Sequence, residues 1–378
     1  MKPCVLFILH LPPPVHGAAM VGKYIRDSRR INEAFDCHYI NLATAKDLTD
    51  IGKVGWKKLV QFVRLLHAIR REVKSLRPDL VYVTPNACGG AFYKDFVVVE
   101  MLKRMGCRVV AHYHNKGVKT HQDRWLDNRL YRGFFRGLNV MLLADALYDD
   151  VRKYVDRTQV VVCPNGIPAL PTMEEVKKQA GEEPPHILWL SNLMRSKGLL
   201  EYLEALRQLR QRGVRFVADF VGGTTAEMDE VSFHRALHAR GLDDCAYYAG
   251  RQYGADKLAY YKRAAIFVLP SYSEAFPLTV LEAMQQSLPV VATNVGGISA
   301  QVTDGLNGLL IGEGRPTMEM SFRPDPAALA GALERLLADE ALRRHMGQAG
   351  RKRFEEEFTL EAFEKNFIRA LRKVLGMV

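Results

Sequence analysis

Twelve short apolar runs of strand character divide the 378-residue chain, six in each half, and every gap between successive runs can hold a helix. In the first half they are Val5 to Leu9, Cys37 to Asn41, Leu80 to Thr84, Arg108 to His112, Val140 to Leu143 and Gln159 to Cys163. The second half restarts the pattern with His186 to Ser191, Arg215 to Val221, Ala246 to Ala249, Ile266 to Leu269, Pro289 to Ala292 and Gly308 to Ile311. Continuous apolar strands alternating with helical patterns predict parallel sheets covered by helices on both faces. A chain of this length exceeds what one hydrophobic core usually organises, so two doubly wound α/β domains in tandem are expected. The turn Cys163-Pro164-Asn165-Gly166-Ile167-Pro168, followed by a polar stretch through Gly181-Glu182-Glu183-Pro184-Pro185, places the boundary between them. The segment Arg353 to Val378 reads as a further helix.

Composition narrows the functional classes. Apolar residues make up 48% and charged residues 25%, a globular balance without low-complexity tracts. No apolar stretch reaches the roughly 20 residues of a membrane span, and the first apolar run stops at His10 and Pro12, as a buried strand does. The six cysteines lack C-x-x-C spacing and read as reduced, mostly buried thiols of a cytoplasmic protein. The net charge of +11 is uneven: residues 1 to 168 hold 27 Lys and Arg against 15 Asp and Glu, and the remainder holds 26 against 27. The first half is therefore expected to meet something anionic. No nucleic-acid module is present, and no G-x-G-x-x-G follows the first strand, which argues against a nucleic-acid partner and against a nicotinamide oxidoreductase.

In open α/β sheets ligands bind beyond the carboxyl ends of the strands, so polar residues just after strands are the candidates. The densest signal is PSYSEAFPLTVLEAMQQSLPVVATNVGG from Pro270. A strand ends in a loop carrying Glu274, and Pro277 suits the first turn of a helix running to about Gln286. Free N–H groups at Ala275, Phe276 and Leu278 at that helix start would seat a phosphate, with Glu274 and Glu282 flanking it.

Glu274 and Glu282 resemble the E-x7-E signature of retaining GT-B glycosyltransferases of glycosyltransferase family 4, the glycosyl transferases group 1 type. Lys197-Gly198, Val221-Gly222-Gly223, Gly250-Arg251 and Asn294-Val295-Gly296-Gly297 follow the same pattern. Pro164-Asn165-Gly166 looks like the family's hinge, whereas the first half matches only at Pro13-Pro14-Val15-His16-Gly17-Ala18 and around His114. The resemblance implies a GT-B fold, two Rossmann-like domains facing across a cleft: an acceptor-side domain over residues 1–166, a donor domain over 167–355, and a helix over 356–378 crossing back to the first. It implies a metal-independent hexosyltransferase that takes a UDP- or GDP-sugar, uses no cofactor, and serves polysaccharide or glycolipid synthesis on a saccharide or lipid-linked acceptor. No D-x-D triplet occurs, and no metal is expected.

On the same footing, Glu282 should meet the donor ribose and Glu274 the transferred sugar. Gly17, Lys197 and Arg251 should lie at the donor, and a strand-end histidine, aligned with His114 rather than His112, should point at the sugar. Asn115 and Lys116 should shape the acceptor side. Asn192 stands where the family usually shows a second cation: either Arg195 reaches back to replace it, or a neutral amide serves, with Arg195 a solvated loop charge. Ser287 replaces a usual glycine, a departure expected to be structural. The helix Trp56 to Lys74, and Trp125, Tyr131, Phe134 and Phe135 among arginines, could rest on an anionic membrane at the inner face of the cell membrane, or could pack on the sheet as ordinary helices. A nucleotide-sugar epimerase of the same fold and a non-catalytic nucleotide-sugar-binding protein are the alternatives.

Overall fold

The computed structural model describes residues 2–13, 16–42, 56–170, 183–312 and 322–377. Pro14 and Val15 of the first-half match, and Gly181 and Glu182 of the linker, lie outside them. The chain divides into two compact units, Met1–Gly166 with Leu360–Val378, and Ile167–Thr359.

The first unit's sheet contains β1 (Cys4–Leu9), β2 (Asp36–Asn41), β3 (Leu80–Val83), β4 (Val109–Tyr113), β5 (Asn139–Leu142) and β6 (Val160–Val162), in the order β2-β1-β3-β4-β5-β6. All pairs are parallel. The second unit's sheet contains β7 (His186–Leu190), β8 (Val217–Val221), β9 (Ala246–Tyr248), β10 (Ala264–Leu269), β11 (Val290–Thr293) and β12 (Gly308–Ile311), in the order β12-β11-β10-β7-β8-β9. It too is parallel throughout. Read from the first strand of each unit, the second has the 3-2-1-4-5-6 order of dinucleotide-binding sheets. The first has one strand, not two, beyond its first among the described residues. In both, the order reverses next to the unit's first strand, between β1 and β3 and between β7 and β10.

Burial explains why the strands were readable: Val5 to Leu9 and Leu80 to Val83 are fully covered, as parallel strands with helices on both faces must be. In the second unit Trp189 of β7 stacks on Tyr202 with centroids 5.5 Å apart, and Phe220 of β8 closes the group. Each such side chain contributes about 1.5–3 kcal/mol through burial. In the first unit Phe92, Tyr131, Phe134 and Phe135 form a matching aromatic cluster. Tyr131, Phe134 and Phe135 are therefore core residues, which corrects the expectation that they could rest on a membrane. Trp125 and Leu126 of the same helix, Trp125–Phe135, do face solvent.

The expected single helix from Arg353 is also corrected. A helix Glu340–Arg353 widens into a π turn over Phe354–Phe358, and Thr359 is extended. Ile167 donates to the Phe358 carbonyl at 3.0 Å and pairs with Thr359 as an isolated bridge, so the chain enters and leaves the second unit at one place. The helix Leu360–Leu375 then belongs to the first unit, where Phe367 packs 5.2 Å from Tyr82 and 6.3 Å from Phe7. The cysteines are all free, but only Cys163 is buried; the other five are half-buried, fewer under cover than the sequence suggested.

Candidate functional site

The carboxyl ends of β7 and β10, adjacent strands at the reversal of the second sheet, are pulled together by backbone. After β7 the chain makes a 3-10 turn, Arg195–Lys197, and Gly198 starts the helix Leu199–Gln211 at φ +74. A Cβ on Gly198 would lie 1.9 Å from the Pro270 carbonyl oxygen, so only glycine lets the two loops meet. Tyr272 donates its N–H to the Ser196 carbonyl at 2.9 Å and locks the contact. The result is an ion pair: Lys197 Nζ lies 2.6 Å from Glu274 Oε1, which also accepts from Ser271 Oγ at 2.7 Å. Their side chains are 28% and 11% exposed, so the pair is sheltered yet open to a ligand. The sequence named both residues but not their contact, because 77 residues separate them.

The helix after Glu274 begins one residue later than expected. Pro277 is its N-cap, not a residue of its first turn, and the helix is Leu278–Gln285. A proline fits either place, since its fixed φ of −67 suits both. Ala275 and Phe276 thus precede the helix. Like Leu278, their N–H groups find no acceptor among the described residues. The Ala275 loop is seated by Gly297, whose missing Cβ would fall 2.0 Å from the Ala275 carbonyl oxygen, and by Gln301, which donates to the Pro277 carbonyl at 2.9 Å. Phe276 is buried against Phe358.

Glu282 sits in the second turn of this helix, and the sequence did not identify its partners. Lys257 Nζ lies 2.7 Å from one carboxylate oxygen and the Tyr261 hydroxyl donates to the other at 2.8 Å. Burial and the adjacent Glu282 charge push the Tyr261 hydroxyl far above its ordinary range, so it stays a donor. Lys257 and Tyr261 lie i, i+4 on the helix Gly254–Arg263, the spacing that could have flagged them as one face. A second unforeseen group surrounds Tyr272. Its hydroxyl donates to Glu201 at 2.6 Å and the Arg323 guanidinium lies 4.0 Å over its ring.

Asn192 is occupied structurally: its Oδ1 accepts the Gly223 N–H at 3.0 Å. Gly222 and Gly223 are the close approaches here. A Cβ on the first would meet the Ser191 carbonyl oxygen at 1.8 Å, and one on the second would strike the Arg251 guanidinium. Arg251 thus lies against the backbone that follows β8. Arg195 is exposed, and its backbone N–H is bonded to Glu227 at 3.3 Å.

In the first unit, His112 of β4 and His114, just beyond its end, lie side by side with ring centroids 4.2 Å apart. His112 is fully buried and paired with the Tyr82 hydroxyl at 2.7 Å, a structural histidine. Both nitrogens of His114 are buried without a partner among the described residues. Burial, then the charges of His10 and His16, press its pKa down to about 3. His10, at the end of β1, is pushed down to about 4 by burial, then by His16 and Lys94, and its ring contacts Thr84 Oγ1 at 3.2 Å. The sequence reading overlooked His10 although it directly follows a strand. Gly17 is the exposed first residue of the helix Gly17–Asp27, capped by His16, whose Nδ1 accepts from the Ala19 N–H at 3.3 Å. Asn115 braces two loops, accepting from the Ala87 N–H at 2.8 Å, and half-buried Lys116 follows it.

Two parallel doubly wound units in one chain define the GT-B class, and solved structures bear that fold out. The sucrose-phosphate synthase of Thermosynechococcus elongatus superposes with a TM-score of 0.73 at 19% identity over 100% of both chains. Anabaena HepE in complex with UDP and glucose gives 0.73 at 18% identity over 99% of this chain and 100% of that one.

Residues 172–353, within the second unit, match the family model described as Glycosyl transferases group 1. A D-inositol 3-phosphate glycosyltransferase of Paenarthrobacter aurescens is 30% identical over 164 residues, 43% of this chain and 38% of the relative. A glycogen synthase of Mycobacterium tuberculosis is 30% identical over 179 residues, 46% and 39% of the two chains. The chain thus spans about two fifths of the length of these curated relatives.

Proposed function

We propose that this protein is a retaining glycosyltransferase that moves a sugar from a nucleotide diphosphate donor to a saccharide or lipid-linked acceptor without a metal ion, in polysaccharide or glycolipid synthesis. The observation that carries the reading is the Lys197–Glu274 contact at the reversal of the second sheet, beside unbonded N–H groups at Ala275, Phe276 and Leu278. A cation and a helix start together suit a diphosphate, and a carboxylate 2.6 Å from that cation suits hydroxyls of the sugar next to it. Glu282, fixed by Lys257 and Tyr261, is assigned to the ribose, and Arg195 and Arg251 to the diphosphate. As the bond to the leaving diphosphate breaks, Lys197 offsets the charge that develops there. The UDP complex of HepE and the names of the curated relatives support a UDP- or GDP-sugar. Gly17 and His114 enter through the resemblance alone, as do Asn115 and Lys116 on the acceptor side.

No helix among the described residues is long and apolar enough to cross a membrane. Trp56, Leu59 and Val63 lie along one helix face, 77%, 51% and 43% exposed, on the basic first unit, and support a peripheral seat on anionic lipid at the inner membrane face. Flotation with anionic vesicles should carry the protein, and Trp56→Ser should reduce it; no flotation at low salt refutes the seat.

The functional test is a panel of UDP-, GDP-, ADP- and CDP-sugars, scored for binding and slow hydrolysis with chelator present, against Lys197→Ala and Glu282→Ala. One preferred donor, weakened by both variants, supports the reading. No binding to any donor refutes it, and isomerised sugar without hydrolysis or transfer identifies an epimerase instead.

A further inference from the structure

At the edge of the first sheet remote from strand carboxyl ends, three different metal-ligating side chains converge. Cys4 opens β1 and Asp36 opens β2, and the two are register partners. His38, two residues on, lies on the same face of β2 as Asp36. The thiol sulfur, a carboxylate oxygen and an imidazole nitrogen all lie within 4.8 Å of one another, and His38 Nε2 is 3.3 Å from Asp36 Oδ1. A tetrahedral zinc with bonds of about 2.0–2.3 Å sets its ligands roughly 3.3–3.8 Å apart, so small side-chain rotations would close the set.

The backbone there is held in place. Asp79 accepts the Cys4 N–H at 2.8 Å and donates its own N–H to the Cys4 carbonyl at 2.9 Å, and Asp36 donates to the Pro3 carbonyl at 2.9 Å. Cys4 is half-buried and in register with Asp36. The carboxylates of Asp36 and Asp79 at this strand end attract a dication.

We propose that Cys4, Asp36 and His38 form a site for a borderline transition-metal dication, zinc in class, that clips edge strand β2 to β1. A thiolate, an imidazole and a carboxylate together suit zinc or cobalt and not magnesium or calcium. Asp36 is 60% exposed on its side chain, which leaves the fourth position to water. On binding, the Cys4 sulfur gives its proton to solvent as the sulfur–metal bond forms, and the His38 ring, its proton carried on Nδ1, offers the Nε2 lone pair to the metal in place of its contact with Asp36. Ligands of doubly wound sheets bind at the opposite, carboxyl ends, so the clip is structural and independent of any sugar chemistry.

The test uses the full chain, stripped with chelator and titrated with Co2+. One equivalent should produce a thiolate-to-cobalt charge-transfer band and tetrahedral d–d absorption, both displaced by Zn2+. The band should be lost in Cys4→Ser and weakened in His38→Ala, and kept in Cys245→Ser, whose thiol lies in the second unit. Zn2+ should raise the melting temperature of the wild type but not of Cys4→Ser, with the two melting alike in chelator. Absence of the band in the wild type, or its survival in Cys4→Ser, overturns the proposal. If Cys4→Ser fails to fold, His38→Gln read by the same band decides in its place.

Discussion

The Lys197–Glu274 pair makes a prediction of unusual sign. In the free protein Lys197 is already neutralised, so a diphosphate must compete with Glu274 for it. At 2.6 Å and an effective dielectric of 20, the attraction within the pair is about 6 kcal/mol. Two phosphate charges at about 4 Å from the same ammonium would together supply about 8 kcal/mol, for a net of about 2 kcal/mol, or roughly thirtyfold. Lys197→Met should therefore weaken UDP binding by about that factor and no more. Glu274→Gln keeps the shape and removes the competitor; the same arithmetic frees up to about 6 kcal/mol, which solvent screening of the part-exposed pair reduces, so UDP alone should bind tighter by at least about 1–2 kcal/mol, or five- to thirtyfold. The same variant should lose sugar transfer, because the amide no longer accepts from the sugar as a charged group does. Calorimetry with UDP at two salt concentrations, beside a transfer or donor-hydrolysis assay, separates the effects. If Glu274→Gln weakens UDP as much as Lys197→Met does, the competition argument is wrong.

Other expectations follow from single contacts. Tyr261→Phe should cost about 1.5–3 kcal/mol in urea unfolding, since the deleted hydroxyl donates to the partly buried Glu282 carboxylate; a loss under about 0.5 kcal/mol refutes this. Ser287 has φ +55, the conformation that favours glycine, so Ser287→Gly should raise stability by about 0.5–1 kcal/mol, read as a higher urea midpoint at unchanged slope. His10, whose folded pKa is pressed down to about 4 from 6.5, contributes stability that is present above pH 6.5 and is lost as pH falls toward 4. His10→Asn should remove about 1.4 kcal/mol per pH unit from the slope of unfolding free energy between those limits, and an unchanged slope would contradict the burial argument. Asp95, pushed up to about 6 by burial, acts in the opposite sense in both proteins and cancels in the comparison.

The twelve strands were legible because parallel strands covered on both faces must be continuously apolar, a pattern that needs no knowledge of what covers them. The residues after β7 and β10 were legible for a related reason: topology sends polar groups to the strand ends, and glycines mark where loops meet. What could not be read were pairings set by the register of one element against another. Lys257 and Tyr261 reach Glu282 across 25 and 21 residues, and nothing local announces them. Asn192 shows the same limit from the other side. Its residue type suggests a weak substitute for a cation, while its oxygen is bound to Gly223, 31 residues away.

Errors arose where one residue type serves two conformations. Pro277 fits an N-cap as well as a first turn, and the Phe354–Phe358 stretch is helical in composition although Thr359 must leave the helix to pair with Ile167. Aromatic residues among arginines misled in the same way: Trp125 and Phe135 share a helix of mixed composition, yet one is 77% exposed and the other 1%. Sequence fixes which residue types lie on that helix, but its rotation about its axis, set by the Phe92 cluster beneath it, decides which of them meet water. That rotation is why Trp125 and Leu126 are the large apolar side chains this helix exposes, while Tyr131 donates its hydroxyl to the Ala87 carbonyl and helps hold the loop that Asn115 braces.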